Sequence, residues 1–241
     1  MAGVPILSTA NPVPTVVHCQ HRSASRRHLP MKITIVYDNV ACEPTLTPDW
    51  GFACLVETAG QTLLFDTGAR GDILLGNIER LGIDPSTINT VFISHSHWDH
   101  IGGLADFLRI HPATVFIPTA CPTHVSTAEV VKVNNPTEIF ENVYSTGQLG
   151  DVEQSLVIKR HDITVVIAGC SHPGVGRIIT AASRFGEVGI LIGGLHGFDD
   201  YALIEHLDAI CPAHCTQHID EINRRYPDKY LPAGAGRVVD V

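Results

Sequence analysis

The densest concentration of chemistry-bearing side chains in this sequence is His95-Ser96-His97-Trp98-Asp99-His100, followed by Ile101-Gly102-Gly103. Four residues of metal-ligand type fall within six positions, directly after Thr90–Ser94, a β-rich run that reads as a strand. Side chains two apart in an extended segment share a face, so His95 and His97 can grip one metal. If the chain then turns into a helix, Asp99 and His100 are redirected toward a second metal, and Gly102 and Gly103 relieve crowding at that turn. Neutral imidazole and carboxylate oxygen suit zinc, and also iron or manganese. The expected cofactors are therefore two divalent ions, zinc first. The expected chemistry is attack on a phosphorus or carbonyl centre by a water that the metals have acidified. A solvated, merely His-rich turn is the bland reading, and the density of ligand types between a strand and Gly-Gly argues against it.

Two metals need more ligands than one cluster supplies. His172 follows the apolar run Ile163–Ala168 and a Gly169-Cys170 turn, and is the candidate third ligand of the first metal. His214, after Ile210-Cys211-Pro212, is the candidate for the second metal. His196, in Gly-Gly-Leu-His-Gly, reads as a ligand, a proton donor or a substrate contact, and with Asp99 is assigned to catalysis. Gly174 and Arg177 open a predicted helix whose free N–H groups would attract phosphate. His111, His124, His161, His206 and His218, and His18, His21 and His28 near the start, have no supporting pattern.

The elements that must position these residues follow from periodicity. Strands are predicted at Lys32–Tyr37, Gly51–Glu57, Gln61–Phe65 (with a turn at Ala59-Gly60), Thr90–Ser94, Thr114–Ile117, Ser155–Lys159, Ile163–Ala168, Val188–Ile192 and Arg237–Val241. Helices are predicted at Asp72–Leu81, Leu104–Ile110, Val175–Phe185, Asp199–Ile210 and Thr216–Tyr226. Thr, Asn and Pro are scattered through Cys121–Asn142, which reads as a lid or substrate loop. His161-Asp162 reads as a hairpin turn. Strands cluster with helices between them, which implies helix-covered sheets, and no GxGxxG follows the first strand, which disfavours a dinucleotide fold.

These motifs resemble the metallo-β-lactamase superfamily, which implies an α/β (α+β) fold, a four-layer αββα sandwich with a binuclear metal site along one edge. Leu64-Phe65-Asp66-Thr67-Gly68 resembles that family's early Asp-Thr-Gly turn, which makes Asp66 a partner that orients a metal ligand or its loop. Met31–Asn39, Trp50-Gly51-Phe52, Gly169–Gly174, Gly193–His196 and Pro212–Thr216 together are similar to the dihydropterin-type synthases acting on ribofuranosylaminobenzene phosphate, over nearly all of 31–241. In that subgroup the chemistry would be group transfer on a pterin-like substrate. An iron-binding redox protein is a third reading. The resemblance also implies a bridging aspartate after a glycine, where this chain has Cys170 after Gly169. Either Cys170 takes part, or water alone bridges.

Composition bounds the rest. The chain has 241 residues, 44% hydrophobic, enough for one large domain, expected over 31–241. A formal charge of −9 disfavours a general nucleic-acid binder and leaves a small, phosphorylated substrate open. Seven cysteines, none spaced CxxC, point to the cytoplasm. No apolar run reaches membrane-spanning length, and homo-oligomerisation is left open. Residues 1–30 lack Asp and Glu and carry Arg22, Arg26 and Arg27 after a weakly apolar stretch, the wrong order for an export signal. They are expected to be a disordered leader, with a transit peptide as the alternative.

Overall fold

The computed structural model describes residues 31–58, 60–122, 128–161 and 163–241. Residues 1–30 with their three histidines, His124, and Ala59 and Asp162 of the two predicted turns lie outside the described residues.

Among the described residues, thirteen strands form two sheets. The first sheet contains β1 (Lys32–Tyr37), β2 (Ala53–Thr58), β3 (Gln61–Phe65), β4 (Ile88–Phe92), β5 (Thr114–Pro118), β6 (Val130–Val133) and β13 (Val238–Asp240), ordered β13-β1-β2-β3-β4-β5-β6. The second contains β7 (Thr137–Phe140), β8 (Val143–Ser145), β9 (Leu156–Arg160), β10 (Ile163–Ala168), β11 (Val188–Gly194) and β12 (Ala209–Ala213), ordered β12-β11-β10-β9-β8-β7. The α-helices are α1 (Gly71–Arg80), α2 (Trp98–Ile101), α3 (Leu104–Ile110), α4 (Val175–Ala182) and α5 (Ile219–Arg225).

Successive side chains of a strand point to opposite faces, and here both faces are covered. Ile33, Cys54, Val56, Leu63 and Phe65 from the first sheet meet Leu156, Ile158, Val165, Ile167 and Ile192 from the second. The alternate residues Leu55, Leu64 and Val91 pack outward under Leu74, Ile78 and Phe107 of α1 and α3. Val166, Ala168 and Leu191 pack outward under Val175 and Ile178 of α4 and Ile222 of α5. The result is the expected αββα sandwich. It explains why the central strands read as unbroken apolar runs: each residue has an apolar layer to enter whichever way it points.

Several predicted elements differ. Asp199–Ile210 is a 3₁₀ turn at Tyr201–Ile204 followed by β12, not a helix. Ile204, Leu207 and Ile210 are three apart, which mimics a helical stripe, and all three are buried in the outer core. Pairing of β12 with β11 decides the outcome. Within Cys121–Asn142, β6 and β7 extend the outer edges of the two sheets. Edge strands have a solvated side and carry polar residues, here Lys132 and Glu138, so they read as loop. The last predicted helix begins at Ile219 because Thr216 belongs to a turn, its hydroxyl donating to Ala213 O and accepting from Leu195 N.

Strand direction places the chemistry. β3 and β4 run parallel, as do β10, β11 and β12. Asp66, His95, His172, His196 and His214 each lie just past the carboxyl end of one of these strands, where α/β folds hold their ligands.

Candidate metal centre

The loop after β4 stays extended through His97, whose φ and ψ are −66° and 146°, then turns directly into α2. His95 Nε2 lies 3.0 Å from His97 Nδ1, so the two imidazoles converge as an extended spacing of two requires. His172 arrives from the second sheet, its ring centre 4.7 Å from those of both His95 and His97. The three offer ligand atoms within 4.8 Å of one another. Within α2, Asp99 and His100 form a second group with His214, their ligand atoms within 4.8 Å of one another. The rings of His95 and His100 are 4.2 Å apart, so the two groups adjoin. Gly102 and Gly103 make the turn possible: a Cβ on them would come within 2.1 Å of Ala69 O and 2.4 Å of Thr67 O respectively.

The rings of His95, His100, His172 and His214 are held from behind. Asp66 Oδ2 accepts from His100 Nδ1 at 2.7 Å, and its other oxygen accepts from Ser94 N, tying β3 to the His95 loop. Ser94 Oγ donates to Asp66 and contacts His95 Nδ1 at 2.9 Å. His214 Nδ1 contacts Asn39 Oδ1 at 3.0 Å, and Asp38 accepts from His214 N. Asp99 Oδ2 accepts from Trp50 Nε1 at 2.9 Å. A buried Glu153, which sequence reading did not single out, is the anchor of the second-sheet loop. Its Oε1 accepts from the backbone N–H groups of Gly169, Cys170 and Ser171, and its Oε2 accepts from His172 N and contacts His172 Nδ1 at 2.9 Å. A single glutamate before a strand carries no sequence signal for this role. Trp50 and Asp38-Asn39 lay within recognised motifs without an assigned task. Asp66, Ser171, His196 and His214 adopt left-handed φ of 49–59° at these strand ends, the kind of backbone strain that collects where function dictates side-chain direction.

The electrostatics favour cation binding. Burial, reinforced by His100, pushes His95 down to about 2, and burial with His214 pushes His100 down to about 3. Both rings are thus neutral and have lone pairs to give. Burial works to raise Asp99, but the His214 and His100 rings outweigh it and hold the carboxylate well below the usual range. Burial likewise opposes Glu153, which the hydrogen bonds from His172 and the neighbouring His95 ring hold at about 2. His214 Nε2 is buried and makes no hydrogen bond, since Asp99 Oδ2, 3.2 Å away, is not in hydrogen-bonding geometry. Leaving a buried polar atom unpaired is costly, and a cation would complete it.

His196 is exposed at the rim, its ring 5.2 Å from that of His172. Gly174 caps α4 at φ 93°, and Arg177 is exposed on that helix. Neither belongs to the two ligand groups.

The sequence pattern of the metallo-beta-lactamase superfamily matches residues 46–175, from before β2 to the start of α4. The chain belongs to the metallo-beta-lactamase superfamily. It is similar to the 7,8-dihydropterin-6-methyl-4-(beta-D-ribofuranosyl)-aminobenzene-5'-phosphate synthase of Methanocaldococcus jannaschii, 22% identical over 70% of this chain and 83% of that protein. An uncharacterised protein of the same organism is 23% identical over 76% of this chain and 90% of its own. Among solved structures, Tm1679, described as a metal-dependent hydrolase of the beta-lactamase superfamily, superposes with a TM-score of 0.75 and 25% identity, covering 88% of this chain and 99% of that one. At the place where the sequence resemblance implies a bridging aspartate, Cys170 brings its sulfur to 3.1 Å from His100 Nε2.

Proposed function

We propose that this chain is a metal-dependent hydrolase that cuts a phosphoester or related ester of a small, phosphorylated molecule in the cytoplasm. Two divalent ions, zinc first and iron or manganese next, would be held by His95, His97 and His172 and by Asp99, His100 and His214. The observation that carries this is the adjacency of two three-residue donor groups, one of them containing a buried imidazole nitrogen without a hydrogen bond. Such ions, when bound, supply an acidified water and stabilise developing negative charge. The protein's own part is orientation and proton handling. Asp66, Glu153 and Asn39 fix the rings of His100, His172 and His214, which sets tautomer and direction. Asp99, steadied by Trp50, would accept a hydrogen bond from the attacking water. His196, exposed beside His172, would donate a proton to the leaving group. Gly174 and Arg177 would receive the substrate phosphate at the start of α4.

The similarity to the dihydropterin synthase over most of both chains favours a second reading, group transfer to a ribofuranosylaminobenzene phosphate with pyrophosphate leaving. Metal content by mass spectrometry, for the protein purified without added metal and for His97→Ala, tests the centre. About two ions per chain are expected, with loss in the variant. No metal after reconstitution would sink both readings. Turnover of bis(p-nitrophenyl) phosphate by the loaded protein, with KM raised in Arg177→Ala, supports the hydrolase. Pyrophosphate release from a dihydropterin pyrophosphate, with no diester turnover, would replace it by the transferase.

A further inference from the structure

β11 ends in Gly193-Gly194, flanked by the parallel strands β10 and β12, with Ala168 opposite Gly193 and Ala213 opposite Gly194. Two residues past each of those alanines comes a cysteine, Cys170 on one side and Cys215 on the other. Neighbouring strands are about 4.8 Å apart, so strands two places apart are separated by about 10 Å. The two sulfurs nonetheless lie within 4.8 Å of each other, in a group with a His214 ring nitrogen. The end of β11 allows this because it carries no side chains: a Cβ on Gly194 would meet Cys215 Sγ at 2.7 Å and Cys170 Cα at 3.2 Å. Cys215 Sγ also lies 3.9 Å from Cys170 O. Among the described residues all six cysteines are free, and only these two share a donor group. Cys215 is 9% exposed and Cys170 3%, so a small oxidant meets Cys215 first.

We propose that Cys170 and Cys215 are a redox pair, oxidised by hydroperoxides to a disulfide that weakens metal binding at the neighbouring site. The effect on metal rests on the binuclear reading above; formation of the disulfide does not. The Cys215 sulfur attacks the peroxide, the O–O bond breaks, and a sulfenic acid and one water result. The Cys170 sulfur then attacks the sulfenic sulfur: the S–S bond forms, the S–O bond breaks, and a second water leaves. Two thiols thus give two electrons and two protons to one hydrogen peroxide, and a dithiol reverses the change. A disulfide holds its two Cα atoms about 5.5–6 Å apart, closer than the flanking strands lie, so it pulls the loops after β10 and β12 together. Those loops carry His172, two residues after Cys170, and His214, one before Cys215. Each is the residue that its donor group takes from the second sheet, so one bond displaces a ligand of both groups.

The test uses the full, metal-free chain treated with hydrogen peroxide. Remaining thiols are blocked with iodoacetamide, and peptides are read by mass spectrometry without reduction. A peptide pair linked through Cys170 and Cys215 is expected, and dithiothreitol should separate it. In Cys170→Ser, Cys215 should stop at the sulfenic acid and be trapped by dimedone. Zinc titration of the oxidised wild type should show affinity at least about tenfold weaker than in the reduced protein, restored by dithiothreitol. Two thiols that stay open to iodoacetamide, or a link from either to another cysteine, overturn the proposal. So does a Cys170–Cys215 link that leaves zinc affinity unchanged. A reduced protein that binds no zinc overturns the binuclear reading instead, and the linked peptide still decides whether the two cysteines are a redox pair. Should Cys170→Ser fail to fold, the wild-type peptides and titration carry the test alone.

Discussion

Glu153 shows how much of this site depends on one buried side chain. It satisfies four backbone N–H groups and the His172 ring, so the whole loop from Gly169 to His172 is built on its charge. Glu153→Gln keeps the shape and replaces a double acceptor by an amide whose NH₂ faces donors. Removing one partner of a buried, charged hydrogen-bond set costs about 3 kcal/mol, and loss of an orienting partner weakens metal affinity about 10–100-fold. Urea unfolding of the metal-free variant and zinc titration of the folded variant would measure the two effects. His97, exposed at the site, is the contrast: His97→Ala should lose metal with little change in metal-free stability. Equal stability losses in the two variants would refute the anchoring role of Glu153.

Between elements, the decisive contact is where the end of β10 approaches the loop after β4. A Cβ on Gly169 would meet Ser94 Oγ at 2.2 Å and His95 Nδ1 at 3.1 Å. Ser94 cannot swing away cheaply, because its hydroxyl and N–H are both committed to Asp66. Gly169→Ala should therefore cost about 1–3 kcal/mol of stability, the range for overpacking a tight interior, and should weaken binding at the first metal position more than at the second. Calorimetric unfolding and stepwise zinc titration check this. An unchanged titration would mean that the two loops can separate without disturbing His95. The 3₁₀ turn and β12 illustrate the same scale: the spacing of Ile204, Leu207 and Ile210 satisfied a helix, but β11 offered a strand partner.

For the whole molecule, gathering histidines against buried carboxylates couples the stability of the metal-free state to pH. His95 and His100, held at about 2 and about 3, stay neutral when folded but take up protons when unfolded below 6.5. Through these two rings the unfolded state binds more protons, so their contribution to stability rises with pH across this window and falls on acidification. Glu153, depressed from 4.5 to about 2, adds a contribution present above 4.5 and lost as pH falls toward 2. His172, raised by the same glutamate, has the opposite sign: its contribution is full below 6.5 and fades as pH rises through its folded value. Asp38, which burial pushes up to about 6, and Asp66, which burial raises well above the usual carboxylate range, bind protons in the folded state over the same window and oppose the two rings. The rings are therefore read directly: the His95 and His100 imidazole NMR resonances of the folded, metal-free protein should not titrate between about pH 6.5 and 5. Titration of either ring in that range would show that it protonates in place. Among the described residues no helix is long and apolar enough to cross a membrane.

Residues 95–100 were legible from the sequence because local geometry alone converts their spacing into two directions, an extended pair and then a helical pair. Helix-covered sheets were legible because long apolar runs separated by helical patterns have few ways to be covered, whereas the four-layer αββα order followed only from the resemblance to the superfamily. His172 and His214 could be nominated from strand-end positions, and Asp66 from its turn motif. Their assembly into two groups was a tertiary matter, since residues 66, 95, 172 and 214 meet only because parallel strands from two sheets end at one edge. Glu153, Asn39 and Trp50 act through hydrogen bonds to residues 19–175 positions away, and no periodicity records such a partner. The edge strands β6 and β7 escaped for a related reason. A half-solvated strand has little hydrophobic signal of its own, and only the neighbouring strand, with backbone groups to pair, determines that it forms.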